Sequence, residues 1–234
     1  MRKEGHKANI SMSILAIIPA RGNSKEIPRK NIRDLCGKPL IAWTIENALK
    51  AKCLDRIIVS TEDDEIAETS KKWGADVPFL RPPELSLDHT PGPDVILHAI
   101  SKITEFDEVM MLQPTSPLRA PEDIEGVARM AKEKKASSIV SICETSKHPS
   151  WIYKNDENNR LIPYIKGPLI PRRQDLPKAY SLNGAVYWAK SKVFREKKTF
   201  FHQETLGYTM PPERSADIDT ELDWGWVEYL KSKK

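Results

Sequence analysis

Cysteine is scarce: three residues in 234, Cys36, Cys53 and Cys143, an odd number at wide spacing. This excludes a disulfide framework and a CxxC metal or redox site. The five histidines are scattered, with no pair at the i, i+3 or i, i+4 spacing that would aim two imidazoles at one zinc. Long apolar runs are missing as well. The longest, Ile14 to Ala20, falls far short of the ~20 residues of a spanning helix, so no membrane partner is expected. The basic opening stretch, residues 1–13, carries no apolar h-region, and reads as a loose leader ahead of a cytoplasmic protein, not as a secretory signal. The low-hydrophobicity, high-net-charge signature of disorder is also lacking: 39% of residues are apolar and 30% charged, enough for a core with a solvated surface. The length suits one domain, residues 14–234.

What the chain does have is a concentrated charge. The net charge is +4, and the segment Arg21 to Arg33 alone accounts for it, with Arg21, Lys25, Arg29, Lys30 and Arg33 against Glu26. A nucleic-acid surface would spread its cations along a stripe, so this arrangement points to a compact polyanion and away from a nucleic-acid partner. Small residues at Gly22, Asn23 and Ser24 let the backbone turn tightly and present N–H groups to an anion, while Arg21, Lys25 and Lys30 supply the opposite charge. A solvated basic turn is the plainer reading of the same residues. The loop matches neither GxxxxGK(S/T) nor GxGxxG, which excludes P-loop and dinucleotide sites.

Short aliphatic runs alternate with stretches of helical period. Strands are expected at Leu15–Ile18, Arg56–Ser60, Glu108–Leu112, Ser138–Ile142 and Ala185–Trp188, each apolar on both sides as in a buried parallel sheet. Helices are expected at Leu40–Lys50, Asp63–Trp73, Asp94–Ile103 and Pro121–Glu133. This βαβα pattern implies an α/β fold, a mainly parallel sheet flanked by helices, with ligands beyond the carboxyl ends of the strands. From about residue 145 to 180 the periodicity fails, which predicts an excursion from the sheet.

Near the other end stand Asp217 and Asp219. In an extended segment these i, i+2 carboxylates project from one face and suit a hard divalent cation, Mg²⁺, that also touches phosphate oxygens. The same DxD is often just a cap for a following helix, here Leu222–Leu230. A phosphatase with an aspartyl nucleophile is excluded because its DxDxT motif opens the domain, whereas only 15 residues follow Asp219 here. A metal-dependent DxD glycosyltransferase stays as a weaker alternative.

The string IIPARGNSKEIPRKN resembles the signature of bacterial cytidylyltransferases that activate nine-carbon ulosonic acids, the CMP-sialic acid synthetase family, usually close to IIPARGGSKGIPRKN. RIIVSTEDDEIA, LRPPELS, LQPTSPLR, RRQDLP, NGAVY and DIDTELD follow in the family's order, so the resemblance runs from about Ile14 to Glu228. One departure is Glu26, where the family often has Gly. The resemblance implies a Rossmann-like fold of the nucleotide-diphospho-sugar transferase type, a homodimer held by the excursion, and transfer of CMP from CTP to the anomeric hydroxyl of a nonulosonic acid with release of pyrophosphate.

The implied roles follow residue by residue. Arg21, Gly22, Ser24, Lys25, Lys30 and Asn31 would hold the triphosphate, and Arg81 with the turn Asp88 to Gly92 would lie by the base. Arg21, Lys30 and Asp219 would carry catalysis, with Asp217 and Asp219 on Mg²⁺. Gln113, Thr115 and Ser116 offer neutral hydrogen bonds to sugar hydroxyl and acetamido groups, though the same residues could simply satisfy a turn. Arg119 could cap that turn. In the excursion, Arg173 and Gln174 align with the family motif, and a guanidinium suits the carboxylate of an ulosonic acid. Asn183 stands in a block that serves sialic and legionaminic acids. A CMP-KDO or CMP-pseudaminic acid synthetase is the nearest alternative activity.

Overall fold

The computed structural model describes residues 12–145, 147–168 and 170–233. Of the expected leader, residues 1–11 lie outside the described residues. In chain order the elements are β1 (Ile14–Pro19), α1 (Leu40–Lys50), β2 (Arg56–Ser60), α2 (Asp64–Lys72), α3 (Gly92–Lys102), β3 (Glu108–Met111), α4 (Pro121–Lys134), β4 (Ser138–Glu144), β5 (Tyr153–Asn155), β6 (Leu161–Pro163), β7 (Tyr180–Lys190), α5 (Ser191–Lys197), β8 (Leu206–Thr209) and α6 (Glu221–Ser232).

Six strands form one sheet in the order β2-β1-β3-β7-β4-β8. β1 lies parallel to β2 and β3, and β4 parallel to β8, but β7 runs antiparallel to both β3 and β4. The expectation of a parallel strand at Ala185–Trp188 is therefore corrected. The physical reason is the excursion: the chain leaves β4 at Glu144 and returns to pair Tyr180 with that same Glu144. Without a crossover to the far end of the sheet, the returning strand can only run back antiparallel.

Alternation along β1 sends Ala16 and Ile18 to one face and Leu15 and Ile17 to the other. The first pair packs with Ile41 and Ile45 of α1 and with Ile124 and Val127 of α4. The second packs with Ile96 and Ile100 of α3 and with Phe194 of α5. A third cluster joins Ile27 and Leu35, after β1, to Ile218 and to Trp224 and Val227 of α6. Burial of these side chains brings the two ends of the polypeptide together beside the carboxyl ends of β1 and β3.

The excursion carries the short β5–β6 hairpin, whose Leu161, Ile162 and nearby Tyr164 and Ile165 are exposed. Among the described residues no helix is long and apolar enough to cross a membrane.

Candidate active site

The loop after β1 is built against the start of α2. A Cβ on Gly22 would come within 2.5 Å of Asp63 Oδ2, so this close approach admits only glycine. The Gly22 N–H donates to Glu62 Oε1 at 2.7 Å. Asp63 caps α2 by accepting from the Ile66 N–H at 2.9 Å and is also paired with the Arg29 guanidinium, which reaches Glu65 as well at 2.7 Å. Arg29 is thus a strut of the loop. Asn31, buried, donates to the Arg21 carbonyl at 2.9 Å and holds the turn from beneath. Ser24 lines the cavity above it, whereas Glu26 is exposed outside the lining.

That cavity, about 520 Å³, is lined from both ends of the chain: Arg21, Ser24 and Lys30 on one side, Asp217 and Asp219 on the other. Lys30 joins them, its ammonium donating to the Ile218 carbonyl at 2.7 Å and lying 3.4 Å from Asp219 Oδ1. Arg21 and Lys25 both contact Asp88, at 2.9 and 3.0 Å. Arg81, only 4% exposed, also lines the cavity. It donates to Glu62 Oε2 at 2.8 Å and to the Ser86 hydroxyl at 2.9 Å, and that hydroxyl donates to Glu62 Oε2 at 2.7 Å. Burial alone would push the Glu62 carboxyl up, but the bonds from Gly22, Ser86 and Arg81 outweigh it and hold it below the usual carboxylate range.

The acidic pair owes its orientation to Ile218, which is fully buried in the third cluster and donates its N–H to the Thr115 carbonyl at 2.9 Å. With Ile218 turned into the core, its two neighbours turn toward the cavity. The cap of α6 is Thr220, in reciprocal bonds with Asp223, so neither Asp217 nor Asp219 is consumed by capping. Asp219 is exposed, whereas Asp217 is largely buried and its Oδ1 has no hydrogen-bond partner. Burial pushes the Asp217 carboxyl up, opposed by a hydrogen bond from Thr115 and reinforced by the charge of Asp219. Gly184, at φ +70°, completes this wall, since a Cβ there would meet Gln113 Oε1 at 2.7 Å and Asp217 Oδ2 at 3.2 Å.

Of the expected sugar-side residues, Gln113 and Thr115 line the cavity. Ser116 is buried and donates to the Asn183 carbonyl at 3.3 Å. The Asn183 amide accepts from the Ser141 hydroxyl and the Ala185 N–H and donates to Ser215 Oγ and Met210 Sδ, so its polar atoms are engaged within the protein. Arg119 is buried, its guanidinium on the Ala185 and Gln113 carbonyls and the Thr44 hydroxyl. It caps the turn after β3 through the Gln113 carbonyl and also ties that loop to β7. Arg173 is exposed, 3.8 Å from Glu144, and lines a neighbouring cavity of about 510 Å³ that also reaches Asp217 and Trp226. Gln174 is exposed and lines neither cavity.

Sequence reasoning missed the aromatic wall of the cavity that Lys30 and Asp219 line, Tyr187, Phe200 and Phe201, with Tyr187 5.7 Å from each phenyl ring. Its only signals were the tyrosine of NGAVY and the paired phenylalanines. Glu62 was missed too, because nothing in its local sequence distinguishes it from the acids around it.

A profile of the family described as Cytidylyltransferase matches residues 15–230. The CMP-N,N'-diacetyllegionaminic acid synthase of Legionella pneumophila is 39% identical over 225 residues, which cover 94% of this chain and 96% of that protein. The pseudaminic acid cytidylyltransferase of Campylobacter jejuni is 34% identical over 223 residues, 94% of this chain and 96% of that protein. A solved CMP:2-keto-3-deoxy-manno-octonic acid synthetase complexed with CTP superposes with a TM-score of 0.73 at 18% identity, covering 94% of this chain and 99% of that one. At that identity the likeness is one of fold.

Proposed function

The chain belongs to the cytidylyltransferase family, and from this premise we propose that residues 14–234 act as one catalytic domain that transfers CMP from CTP to the anomeric hydroxyl of a nonulosonic acid, releasing pyrophosphate. The observation that carries this reading is Lys30, which contacts the Ile218–Asp219 segment across 188 residues of sequence. A cationic loop and a carboxylate pair thereby face one cavity, as a reaction that binds a triphosphate and then releases pyrophosphate requires.

In this reaction the anomeric oxygen forms a bond to the α-phosphorus as its hydroxyl proton passes to water, while the bond from the α-phosphorus to the α–β bridging oxygen breaks and that oxygen leaves with pyrophosphate. Arg21, Lys25 and Lys30 neutralise the β- and γ-phosphoryl oxygens, and the N–H groups of Asn23 and Ser24 orient them, that of Gly22 being held by Glu62. Arg81 and the loop after it hold the base, while Gln113, Thr115 and the aromatic wall present the sugar. Asn183 and Ser116 act from behind, keeping Gly184 and the loop after β3 in register. Arg173 and Gln174 are the groups proposed for the sugar carboxylate.

The residues present fit Mg²⁺. The pair offers hard oxygen donors on residues that line the cavity, and the buried Oδ1 of Asp217 has no hydrogen-bond partner within the protein. Asp217 and Asp219 would hold the ion, which supplies charge neutralisation at the phosphoryl oxygens when bound.

The greater identity to the legionaminic synthase than to the pseudaminic enzyme supports a legionaminic acid as acceptor. The exposed β5–β6 hairpin supports homodimerisation through the excursion, and the reading is completed by a cytoplasmic location. The test is a pyrophosphate-release assay with CTP, Mg²⁺ and a panel of legionaminic, N-acetylneuraminic, pseudaminic and eight-carbon acids. Turnover is expected with a nonulosonic acid and loss of at least about 100-fold in Asp219→Ala at unchanged melting temperature. No turnover with any acid, or full activity in that variant, sinks the assignment.

A further inference from the structure

Every cation between Arg21 and Arg33 meets a carboxylate, but the contacts differ in kind. Arg29 is held by Asp63, itself fixed as the cap of α2. Arg33 pairs with Glu221 at the start of α6. Arg21 and Lys25, the two cations with no structural duty, share one carboxylate, Asp88, with one oxygen on each. Lys25 first, and Arg21 with it, hold the Asp88 carboxyl below its usual range, so it is ionised at neutral pH.

Asp88 is in a position to let go. It is exposed, and it follows by two residues the Ser86 hydroxyl, which Glu62 and Arg81 anchor. Glu62 anchors the phosphate loop as well, through the Gly22 N–H. One half-buried carboxylate thus fixes the feet of both loops, and the Asp88 contact closes them at their tips over the cavity that both line.

We propose that Asp88 is a built-in competitor for the polyphosphate, occupying Arg21 and Lys25 between turnovers and returning to them as pyrophosphate departs. This rests on the transferase reading above. A carboxylate offers two oxygens and one charge where the β- and γ-phosphates offer more of both, so substrate displaces it. The competition lowers the affinity of any ligand that needs both cations by one common factor, for CTP and for free pyrophosphate alike. A ligand that ends at the α-phosphate, such as CMP, escapes that factor. Asp88 therefore weakens the hold of the site on pyrophosphate.

The test is calorimetric titration of the full chain with inorganic pyrophosphate and, separately, with CMP, in the wild type, Asp88→Asn and Asp88→Glu. Pyrophosphate is expected to bind about three- to tenfold more tightly to Asp88→Asn at an unchanged melting temperature, a gain several-fold greater than any change in CMP binding. Asp88→Glu, which keeps the charge, is expected to bind as the wild type does. Unchanged or weaker pyrophosphate binding in Asp88→Asn, or equal tightening in Asp88→Glu, overturns the proposal, since Asp88 would then merely organise the loop. The titration uses neither sugar nor turnover, so failure of the panel assay and failure of this contact are separate results.

Discussion

Single residues carry this site through what they exclude as much as through what they bind. Gly22 and Gly184 are required by close approaches, one to Asp63 and one to Gln113 and Asp217. Glu62 joins the two loops, serving a backbone N–H, a hydroxyl and a buried guanidinium at once. Replacing it by Gln leaves Arg81 buried without its counter-charge, at a cost of about 1–3 kcal/mol. The loss depends on pH with a definite sign. Because the native carboxyl sits below its unfolded value of ~4.3, the stability it contributes is complete above that value and is lost as pH falls through the lowered native pKa. Melting curves of wild type and Glu62→Gln should therefore differ most near neutral pH and converge as pH falls below the usual carboxylate range. A constant gap would sink this account. None of this was legible in the sequence, where Arg81 and Gly22 were readable as ligand groups but the acid joining them was not.

At the level of elements, the segment that bears the acidic pair is held from both sides. Ile218 anchors it in the third core cluster, and Arg214 anchors it upstream. The Arg214 guanidinium makes two bonds of 2.8 Å to Asp123, a fully buried carboxylate in the first turn of α4 that also accepts from the Ala120 N–H at 2.9 Å. Removing one partner strands a buried charge, so Arg214→Ala should cost about 3–5 kcal/mol in chemical denaturation. Arg214→Lys should recover only part of it, since an ammonium cannot reproduce the paired geometry. A loss below about 1 kcal/mol would mean the segment is held by Ile218 alone. The βαβα alternation located β1 to β4 and α1 to α4 closely, because long apolar periods report burial directly. β5, β6 and β8 lay outside the expected strands, being short and partly or wholly exposed.

At the scale of the whole molecule, the exposed hairpin is the feature that a single chain leaves unexplained. Leu161 is 69% exposed and Tyr164 61%, which is a poor surface for an isolated protomer and a suitable one for a second copy. If the excursion holds a dimer, Ile162→Lys combined with Tyr164→Lys should shift the sedimenting species from dimer to monomer without lowering secondary structure. A wild type that sediments as a monomer, or a double variant that stays dimeric, removes the hairpin from the interface. What the sequence determined by itself was local and compositional: the strand and helix periods, the +4 charge gathered in one loop, and the ordered blocks that carry the family resemblance. What only the tertiary structure decided was direction and partnership: that β7 runs antiparallel, that Asn183 and Arg119 are spent inside the protein, and that Asp88 sits on Arg21 and Lys25. The reason is physical. Periodicity records which side of an element is buried, but the partner of a charge is chosen by contacts between residues up to nearly two hundred positions apart, and no local pattern encodes that distance.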